Sequence, residues 1–410
     1  MRVLVLQNGL KSRATHFYNE SLAWRSLCKA RDLPLHILAH RQVPQDVLKE
    51  TGAVAAFPAG PDASFYIDDK GTRGRPQAML ETVFSDVCMR AFGDKTTSED
   101  VVVVPYARVP ELGGLARWFE KIPADRRPFV VVLLHRPEEE WQVDPTRQRI
   151  TGNPGPMREA ANRLLGLATR GLLVLATNAP LAGILRSALQ MDVSVSPPLY
   201  SYDFQERWFA EKGEEARPEL RGRGFDLGLL GQMRPEKGAN IAIEGIKTLM
   251  ARRQGLQIAF HVSDKEAEGS FDSKLAGTQG QGKVNLFTGE MSHDAFLMAI
   301  GACRIIVLPY DPQRYRARLS GPLVEAAAWG RPVVVPADTW MADMVEGGRV
   351  AGTVFRDHRP DALCNAILAA LDQADTLTAD ARVAAKRWRA ECSIDQAFEL
   401  ILASRAAAAA

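Results

Sequence analysis

Short runs of branched apolar residues alternate with helical patterns along almost the whole chain. The first half contains the runs VLVLQ at 3–7, LHILAH at 35–40, VVVVPY at 101–106, VVVLLH at 130–135 and LLVLAT at 172–177. The second half repeats the pattern with FDLGLLG at 225–231, LQIAFHV at 256–262, VNLFTG at 284–289, RIIVLPY at 304–310 and RPVVVP at 331–336. Such alternation is typical of βαβ units, in which parallel strands are covered by helices on both faces. The sequence therefore predicts an α/β fold with two doubly wound domains.

The alternation breaks once, between residues 197 and 224, where a proline pair is followed by aromatic and charged residues. A chain of 410 residues with 46% apolar and 24% charged content is long enough for two full cores. We therefore predict a first domain at 1–199, a connection at 200–224 and a second domain at 225–390. A last helix within 391–410 is expected to return to the first domain.

Charge and cysteine content exclude several classes of protein. A net charge of +2 is too small to indicate nucleic acid as the main partner. The five cysteines are scattered and never form a Cys-x-x-Cys pair, which argues against a disulfide framework and a zinc knuckle. No signal peptide or apolar run of membrane-spanning length is visible. We therefore expect a cytoplasmic protein.

The segment SGPLVEAAAWGRPVVVP, at 320–336, predicts a capped helix followed by a buried strand. Ser320 suits the N-cap, Gly321 allows close approach of a ligand, and Pro322 suits an early helical position. Gly330 is placed where a helix commonly ends with a glycine. The free amides at the start of this helix form an anion site, and Glu325 lies one turn further on.

A second segment, LGLLGQMRPEKGANIAIEGIKTLM at 227–250, predicts a strand, a basic glycine turn and a helix. Lys237 supplies a point charge in this turn, and Arg234 supplies a planar guanidinium. Gly231 opens the turn. Two phosphate-facing corners, one of them with a nearby carboxylate for hydroxyl groups, indicate a nucleotide diphosphate ligand.

At these residues the chain resembles the glycosyltransferases of family 4. The family segment Gly-Arg-x-x-x-Glu-Lys-Gly corresponds to GQMRPEKG at 231–238, and the second Glu of its paired carboxylates corresponds to Glu325. The family's first Glu falls on Ala317, and its arginine falls on Gln232. The resemblance is strong over 225–350 and rests only on the order of elements over 1–200. It implies the GT-B architecture, two Rossmann-like domains facing a cleft.

The resemblance also implies roles for individual residues. The second domain would bind a nucleotide diphosphate sugar, with Glu325 on the ribose and Lys237 on the phosphates. Arg234 or Arg318 would replace the missing arginine, and the backbone near Gly231, Ser320 and Gly321 would complete the donor site. His135 would lie beside the reacting sugar, and Gly9 would lie on the acceptor side.

The expected activity is transfer of a sugar, with retention of configuration, to a saccharide, lipid-linked or protein acceptor. No cofactor and no metal are expected. The chain contains no Asp-x-Asp motif, so the leaving diphosphate would be stabilised by cations and helix amides.

Other interpretations remain open at this stage. His135 and Gly9 also suit a strand-end histidine and a turn glycine, and the run Glu138–Glu140 suits a solvated loop. GTQGQGK at 277–283 resembles part of a P-loop but precedes a strand, which indicates a surface loop. The missing groups at Ala317 and Gln232 leave a non-catalytic nucleotide-sugar-binding protein as the main alternative. A third interpretation is a sugar-nucleotide epimerase of the same architecture.

The stretch 111–129 combines basic residues with Trp118 and Phe119. It could rest on the inner face of a membrane as a peripheral contact, as in relatives that use lipid-linked acceptors. A helix with an ordinary basic face is the simpler interpretation.

Overall fold

The structure, a computed structural model, describes residues 1–13, 15–61, 77–93, 95–135, 142–144, 149–213, 215–219, 222–231, 233–262 and 282–409. The Glu138–Glu140 run, Gln232 and most of the segment 277–283 lie outside the described residues. The chain divides into two units, Met1–Ser201 with Cys392–Ala410, and Tyr202–Glu391.

The first unit contains a seven-stranded sheet in the order β3-β2-β1-β4-β5-β8-β9, with all strand pairs parallel. Its strands are β1 (Val3–Gln7), β2 (Leu35–His40), β3 (Ala53–Phe57), β4 (Val101–Val104), β5 (Phe129–Leu134), β8 (Leu172–Ala176) and β9 (Ser194–Val195). An antiparallel pair, β6 (Gln142–Asp144) and β7 (Arg149–Thr151), lies outside this sheet.

Successive residues of β1 and β4 are all buried, which shows that helices cover both faces of the sheet in the first unit. They are α1 (His16–Ala30), α2 (Gln45–Thr51), α3 (Gln77–Ala91), α4 (Val109–Lys121), α5 (Gly155–Leu167), α6 (Ala179–Leu189) and the C-terminal α15 (Ile394–Ala409). Phe398 of α15 packs edge-on against Trp24 of α1, with ring centroids 6.1 Å apart. Arg31 pairs with Asp395 and Glu399 on the same helix.

The second unit contains a six-stranded sheet in the order β12-β11-β10-β13-β14-β15, again with every pair parallel. Its strands are β10 (Phe225–Leu229), β11 (Leu256–Val262), β12 (Gly282–Thr288), β13 (Cys303–Val307), β14 (Val333–Pro336) and β15 (Gly352–Phe355). Its helices are α7 (Asp203–Lys212), α8 (Ala239–Arg252), α9 (His293–Ala302), α10 (Pro312–Tyr315), α11 (Gly321–Ala328), α12 (Trp340–Glu346), α13 (Pro360–Asp372) and α14 (Ala374–Glu391).

The predicted fold class is confirmed, since two parallel sheets with flanking helices form the described chain. Each predicted strand is present within a few residues of its expected bounds. The strands β3, β6, β7, β9 and β15 were not predicted. In β3 the alternation is weak, because Val54 is 60% exposed and the other residues are mainly alanines. In β15 (Gly352–Phe355), only the last residue is buried, and the other three are partly exposed.

Two stretches have a different role from the one their composition suggests. Residues 200–224, expected as a connection, contain the helix α7 and lie almost entirely in the second unit. In the basic stretch 111–129, Trp118 and Phe119 are fully buried and Arg117 pairs with Glu81. The aromatic side chains of α4 are therefore core residues. Of the described helices, none combines the length and the apolar character needed to cross a bilayer.

The turn between β10 and α8 passes close to the end of β13. Gly238 has a φ of +75°, and a Cβ at this position would lie 1.8 Å from the carbonyl oxygen of Pro309. The same two loops are also joined by a hydrogen bond of 3.0 Å from the amide of Asp311 to the carbonyl of Glu236. The glycine therefore permits both the left-handed backbone and the contact between the two loops.

We predict that Gly238→Ala destabilises the second unit by about 2 to 5 kcal/mol, since it adds a steric conflict to the cost of a positive φ. Gly255→Ala is the matched control, because Gly255 has a φ of +80° and a Cβ added there would meet nothing within 4 Å. The control should lose only about 1 to 2 kcal/mol. Thermal and urea unfolding of both variants measure the difference, and equal losses would contradict the proposed contact.

Candidate functional site

The candidate site lies where the strand order of the second sheet reverses. The chain runs outward from β10 to β11 and β12, and then returns to β13 on the other side of β10. In open α/β sheets, ligands bind beyond the carboxyl ends of the strands at such a switch point. The turn after β10 and the loop after β13 meet there, as the contact of Gly238 with Pro309 shows.

The turn begins at Gly231, whose φ of +84° is in the left-handed region. Its amide donates a hydrogen bond of 3.3 Å to Nδ1 of His261, and Nε2 of His261 donates to the carbonyl of Gly289 at 2.9 Å. Burial lowers the pKa of His261, the hydrogen bond to Gly289 opposes this shift, and the charge of Lys237 adds to it. The neutral imidazole therefore fixes the direction of the turn. A Cβ on Gly231 would lie 3.2 Å from Cγ of Pro322, so the turn also faces the start of α11.

Lys237 ends the short 3-10 helix Pro235–Lys237 and turns back over the same corner. Its Nζ donates to the carbonyl of Gly231 at 3.3 Å and lies 5.5 Å from the ring centroid of Tyr310. Within the described part of the chain, no carboxylate forms an ion pair with this ammonium group. Burial and the charge of Arg234 lower the pKa of Lys237 to about 8. The group is largely a cation at neutral pH, and no carboxylate among the described residues balances its charge.

The helix α11 presents its first amides to this corner. Ser320 is its N-cap, and the Ser320 hydroxyl accepts a hydrogen bond of 3.4 Å from the amide of Leu323. Pro322 occupies an early helical position, and Gly330, with a φ of +63°, follows the end of the helix. The cap, the helix and the following buried strand β14 agree with the sequence expectation. Gly321 brings the backbone to the ligand side without a side chain.

Glu325 lies on the inner side of α11 and is 4% exposed. Its Oε2 accepts a hydrogen bond of 2.8 Å from Nε2 of Gln205 on α7. Burial raises the pKa of Glu325 to about 8, and the hydrogen bond from Gln205 opposes this shift. The carboxyl group is therefore largely protonated at neutral pH, and a ligand that donates hydrogen bonds to it would favour loss of that proton.

The two arginines expected near the phosphates lie in different surroundings. Arg234 is half exposed and pairs with Glu236 at 2.9 Å. Surface pairs of this kind contribute only about 0 to 1 kcal/mol, so the guanidinium can exchange its partner for a phosphate. Arg318 is partly buried two residues before Ser320. Ala317, at the position of the family's first carboxylate, is 7% exposed.

The two candidates in the first unit lie near the carboxyl edge of its own sheet. His135 directly follows β5, and its Nε2 donates a hydrogen bond of 2.7 Å to the carbonyl of Pro105. Gly9 follows β1, and a Cβ there would lie 2.4 Å from the ring of Phe17. Packing against Phe17 is therefore one reason for a glycine at this position.

Sequence reasoning missed His261 and Gln205. His261 is the sixth residue of a strand whose carboxyl end was expected at the ligand side, so its position carried a usable signal. Gln205 lies in the stretch expected as a connection, and no local pattern links it with Glu325. Tyr310 is fully buried beneath Lys237, and its ring is tilted against that of Tyr315 at a centroid distance of 4.5 Å.

Comparison with known proteins identifies both the domain and the fold. Residues 224–373 match the family model of glycosyl transferases group 1. A glycosyltransferase from Rickettsia africae has a TM-score of 0.63 at 12% identity, covering 99% of this chain and 98% of that chain. HepE from Anabaena, in complex with UDP and glucose, has a TM-score of 0.62 at 15% identity, with coverage of 98% and 99%.

UDP-GlcNAc 2-epimerase from Neisseria meningitidis, bound to UDP-GlcNAc, is also similar. Its TM-score is 0.59 at 12% identity, with coverage of 98% of this chain and 99% of that chain. A search of curated protein sequences gives no match. The structural likenesses establish the fold, and the family model matches most of the second unit.

The protein has the GT-B two-domain α/β architecture. Residues 224–373 of its second unit match the glycosyl transferases group 1 domain, and this match supports a glycosyltransferase enzyme.

We predict that Lys237→Ala weakens the binding of inorganic pyrophosphate by about 10- to 100-fold, because a hydrogen bond to a charged group contributes about 1.5 to 3 kcal/mol. Lys247→Ala is the control, since Lys247 is a surface lysine that pairs with Glu244. Calorimetry of the two variants makes the comparison. Unchanged affinity in a folded Lys237→Ala protein would place the phosphates elsewhere.

The pH dependence of binding offers a separate prediction. With a pKa of about 8, the Lys237 side chain is mostly charged at pH 7 and mostly neutral at pH 9. Pyrophosphate binding favours the charged form, so affinity should fall by about tenfold between pH 7 and pH 9. The fall should be absent in Lys237→Arg, which remains charged over this range. Parallel pH profiles for the parent and this variant would contradict the assignment.

Proposed function

We propose that the second unit binds a nucleotide diphosphate sugar and that the enzyme transfers the sugar to an acceptor bound by the first unit. The observation that carries this proposal is the partly buried Lys237 ammonium, which lacks a carboxylate partner among the described residues. It lies at the switch point of the sheet, where the Gly231 turn faces the start of α11. HepE from Anabaena, which has the same fold, was also crystallised with UDP-glucose, and this supports the choice of ligand class.

The diphosphate would be bound by two kinds of positive group. Lys237 provides a full charge in a region of low dielectric, where electrostatic interactions are stronger than in water. The first amides of α11 provide oriented donors together with the positive end of the helix dipole. Because these groups are held in place before the reaction, they would stabilise the charge that develops on the leaving diphosphate.

We further propose that departure of the diphosphate needs no metal and that the sugar is transferred with retention. The chain contains no Asp-x-Asp motif of the kind that bridges a metal to a diphosphate. Arg234 and Arg318 would share the phosphate charge with Lys237. Retention follows from the resemblance of the 231–238 and 320–336 segments to family 4.

Glu325 would accept hydrogen bonds from the ribose hydroxyl groups. Its carboxyl group lies one turn into α11 and is already oriented by Gln205. Two hydroxyl donors would favour the carboxylate form and lower its pKa from the value of about 8 in the free protein. Ribonucleotide binding at pH 7 would therefore release a proton.

The first unit would contribute His135 and the backbone near Gly9 to the acceptor side. His135 lies at the carboxyl edge of the first sheet, with its ring 4.9 Å from that of Tyr106. The acceptor classes that fit the proposal are saccharides, lipid-linked saccharides and proteins. All five cysteines are buried and no disulfide joins them, which supports a cytoplasmic setting.

We predict that Glu325→Gln weakens UDP binding by about 10-fold and leaves pyrophosphate binding nearly unchanged, because a neutral amide is a poorer acceptor for the ribose hydroxyls. The substitution preserves size and can retain the hydrogen bond from Gln205. Calorimetry with both ligands tests the assignment, with Lys237→Ala as the contrasting variant that should lose affinity for both. Equal losses in Glu325→Gln would remove the ribose role.

We also predict that His135→Ala lowers the rate of sugar transfer more than it weakens UDP binding, since the side chain would contact the reacting sugar and not the phosphates. His36→Ala is the control, because His36 is exposed on β2. Release of nucleoside diphosphate from a panel of donors measures the rate. A parent protein that binds donors but shows neither transfer nor slow hydrolysis would support the non-catalytic alternative instead.

A further inference from the structure

Three metal-ligating side chains converge at the carboxyl edge of the first sheet. His16 is the first residue of α1, Glu20 lies one turn later on the same helix face, and His135 directly follows β5. One potential ligand atom from each lies within 4.8 Å of the other two. Among the described residues, this is the one group of three histidine, cysteine or acidic side chains with such spacing.

The position of this cluster is favourable for a ligand. The first sheet reverses its strand order between β1 and β4, and β5 follows β4. Gln7, at the end of β1, donates a hydrogen bond to Glu20. The carbonyl of Pro105, just after β4, accepts a hydrogen bond from His135, which follows β5. The cluster therefore occupies the switch point of the first sheet, the place where open α/β sheets bind ligands.

One ring nitrogen of His16 has no hydrogen-bond partner among the residues that the structure describes. Its Nε2 is buried and makes no hydrogen bond in the described part of the chain. Burial lowers the pKa of His16 to about 4, so the ring is neutral. A buried polar atom without a partner is unfavourable, and a bound ligand would remove that cost.

The carboxyl group of Glu20 forms no ion pair with any cation among the described residues. The residue is 2% exposed, and Nε2 of Gln7 donates a hydrogen bond of 3.1 Å to its Oε2. Burial raises the pKa of Glu20 to about 8, and this one amide donor compensates only in part. A cation at this point would stabilise the carboxylate directly.

The third member, His135, has the orientation seen in metal-binding histidines. A carbonyl oxygen can only accept, so the contact of 2.7 Å with Pro105 requires the proton on Nε2. In the neutral ring, Nδ1 then carries the lone pair that can bind a metal. A hydrogen bond from the other ring nitrogen to a backbone carbonyl is the usual way in which proteins orient such a ligand.

We propose that His16, Glu20 and His135 bind a divalent transition-metal ion of the zinc type in the first unit. Two imidazoles and one carboxylate suit Zn²⁺, and three protein ligands leave a fourth position for water or another oxygen ligand. Ligand atoms around Zn²⁺ lie roughly 3.3 Å apart, so the widest pair must close by up to roughly 1.5 Å when the ion binds. This proposal does not depend on the donor assigned to the second unit.

Zinc titration of the full-length, chelator-treated protein without any nucleotide tests the proposal. We expect one Zn²⁺ per chain and a rise in the unfolding midpoint. Glu20→Gln and His16→Gln should each weaken zinc binding by about 100-fold or more, whereas the exposed His36→Gln should retain the parent affinity. Co²⁺ should give the absorption bands of a site with nitrogen and oxygen ligands.

The opposite results would overturn the proposal. No stoichiometric zinc uptake by the parent, or unchanged affinity in both Glu20→Gln and His16→Gln, would show that these residues do not form a metal site. If either variant fails to fold, the position of the ion decides the matter. Anomalous scattering from zinc-soaked parent crystals should then place one ion between the three side chains, and no peak there would contradict the assignment.

Discussion

The partly buried ammonium group of Lys237 is the charge on which the proposed chemistry of the second unit depends. It lies over the ring of Tyr310 and contacts the carbonyl of Gly231, with no carboxylate partner among the described residues. Burial of such a group costs free energy, which is visible in its lowered pKa. The cost is understandable if the counter-ion is a phosphate supplied by the ligand. Gly238, packed on the carbonyl of Pro309, holds the turn in the position that this arrangement requires.

Much of the fold could be predicted, because strands buried on both faces appear in the sequence as continuous apolar runs. Val101–Val104 and Phe129–Leu134 are such runs, and both form central strands. Strands at or near the edges carry less information. Ala53–Phe57 is mainly alanine with an exposed Val54, and Gly352–Phe355 is only partly buried, so neither has a clear pattern.

Some features of the candidate site are encoded by neighbouring residues, and others depend on contacts between residues far apart in the sequence. The cap at Ser320 and the turn that ends at Lys237 are encoded by neighbouring residues, so their form could be predicted. The bond between Gln205 and Glu325 joins positions 120 residues apart, and His261 reaches Gly231 only through the pairing of β10 with β11. Likewise, the spacing of His16 and Glu20 is visible in the sequence, but the approach of His135 depends on the order of strands in the sheet.

A crystal structure of the protein with UDP is the most direct test of the central claim. The account predicts phosphate oxygens within hydrogen-bond distance of Lys237 Nζ and of the first amides of α11. It also predicts the ribose hydroxyls at Glu325. Electron density for the diphosphate at another place, or a Lys237 side chain that remains on the carbonyl of Gly231 without contacting the nucleotide, would contradict it.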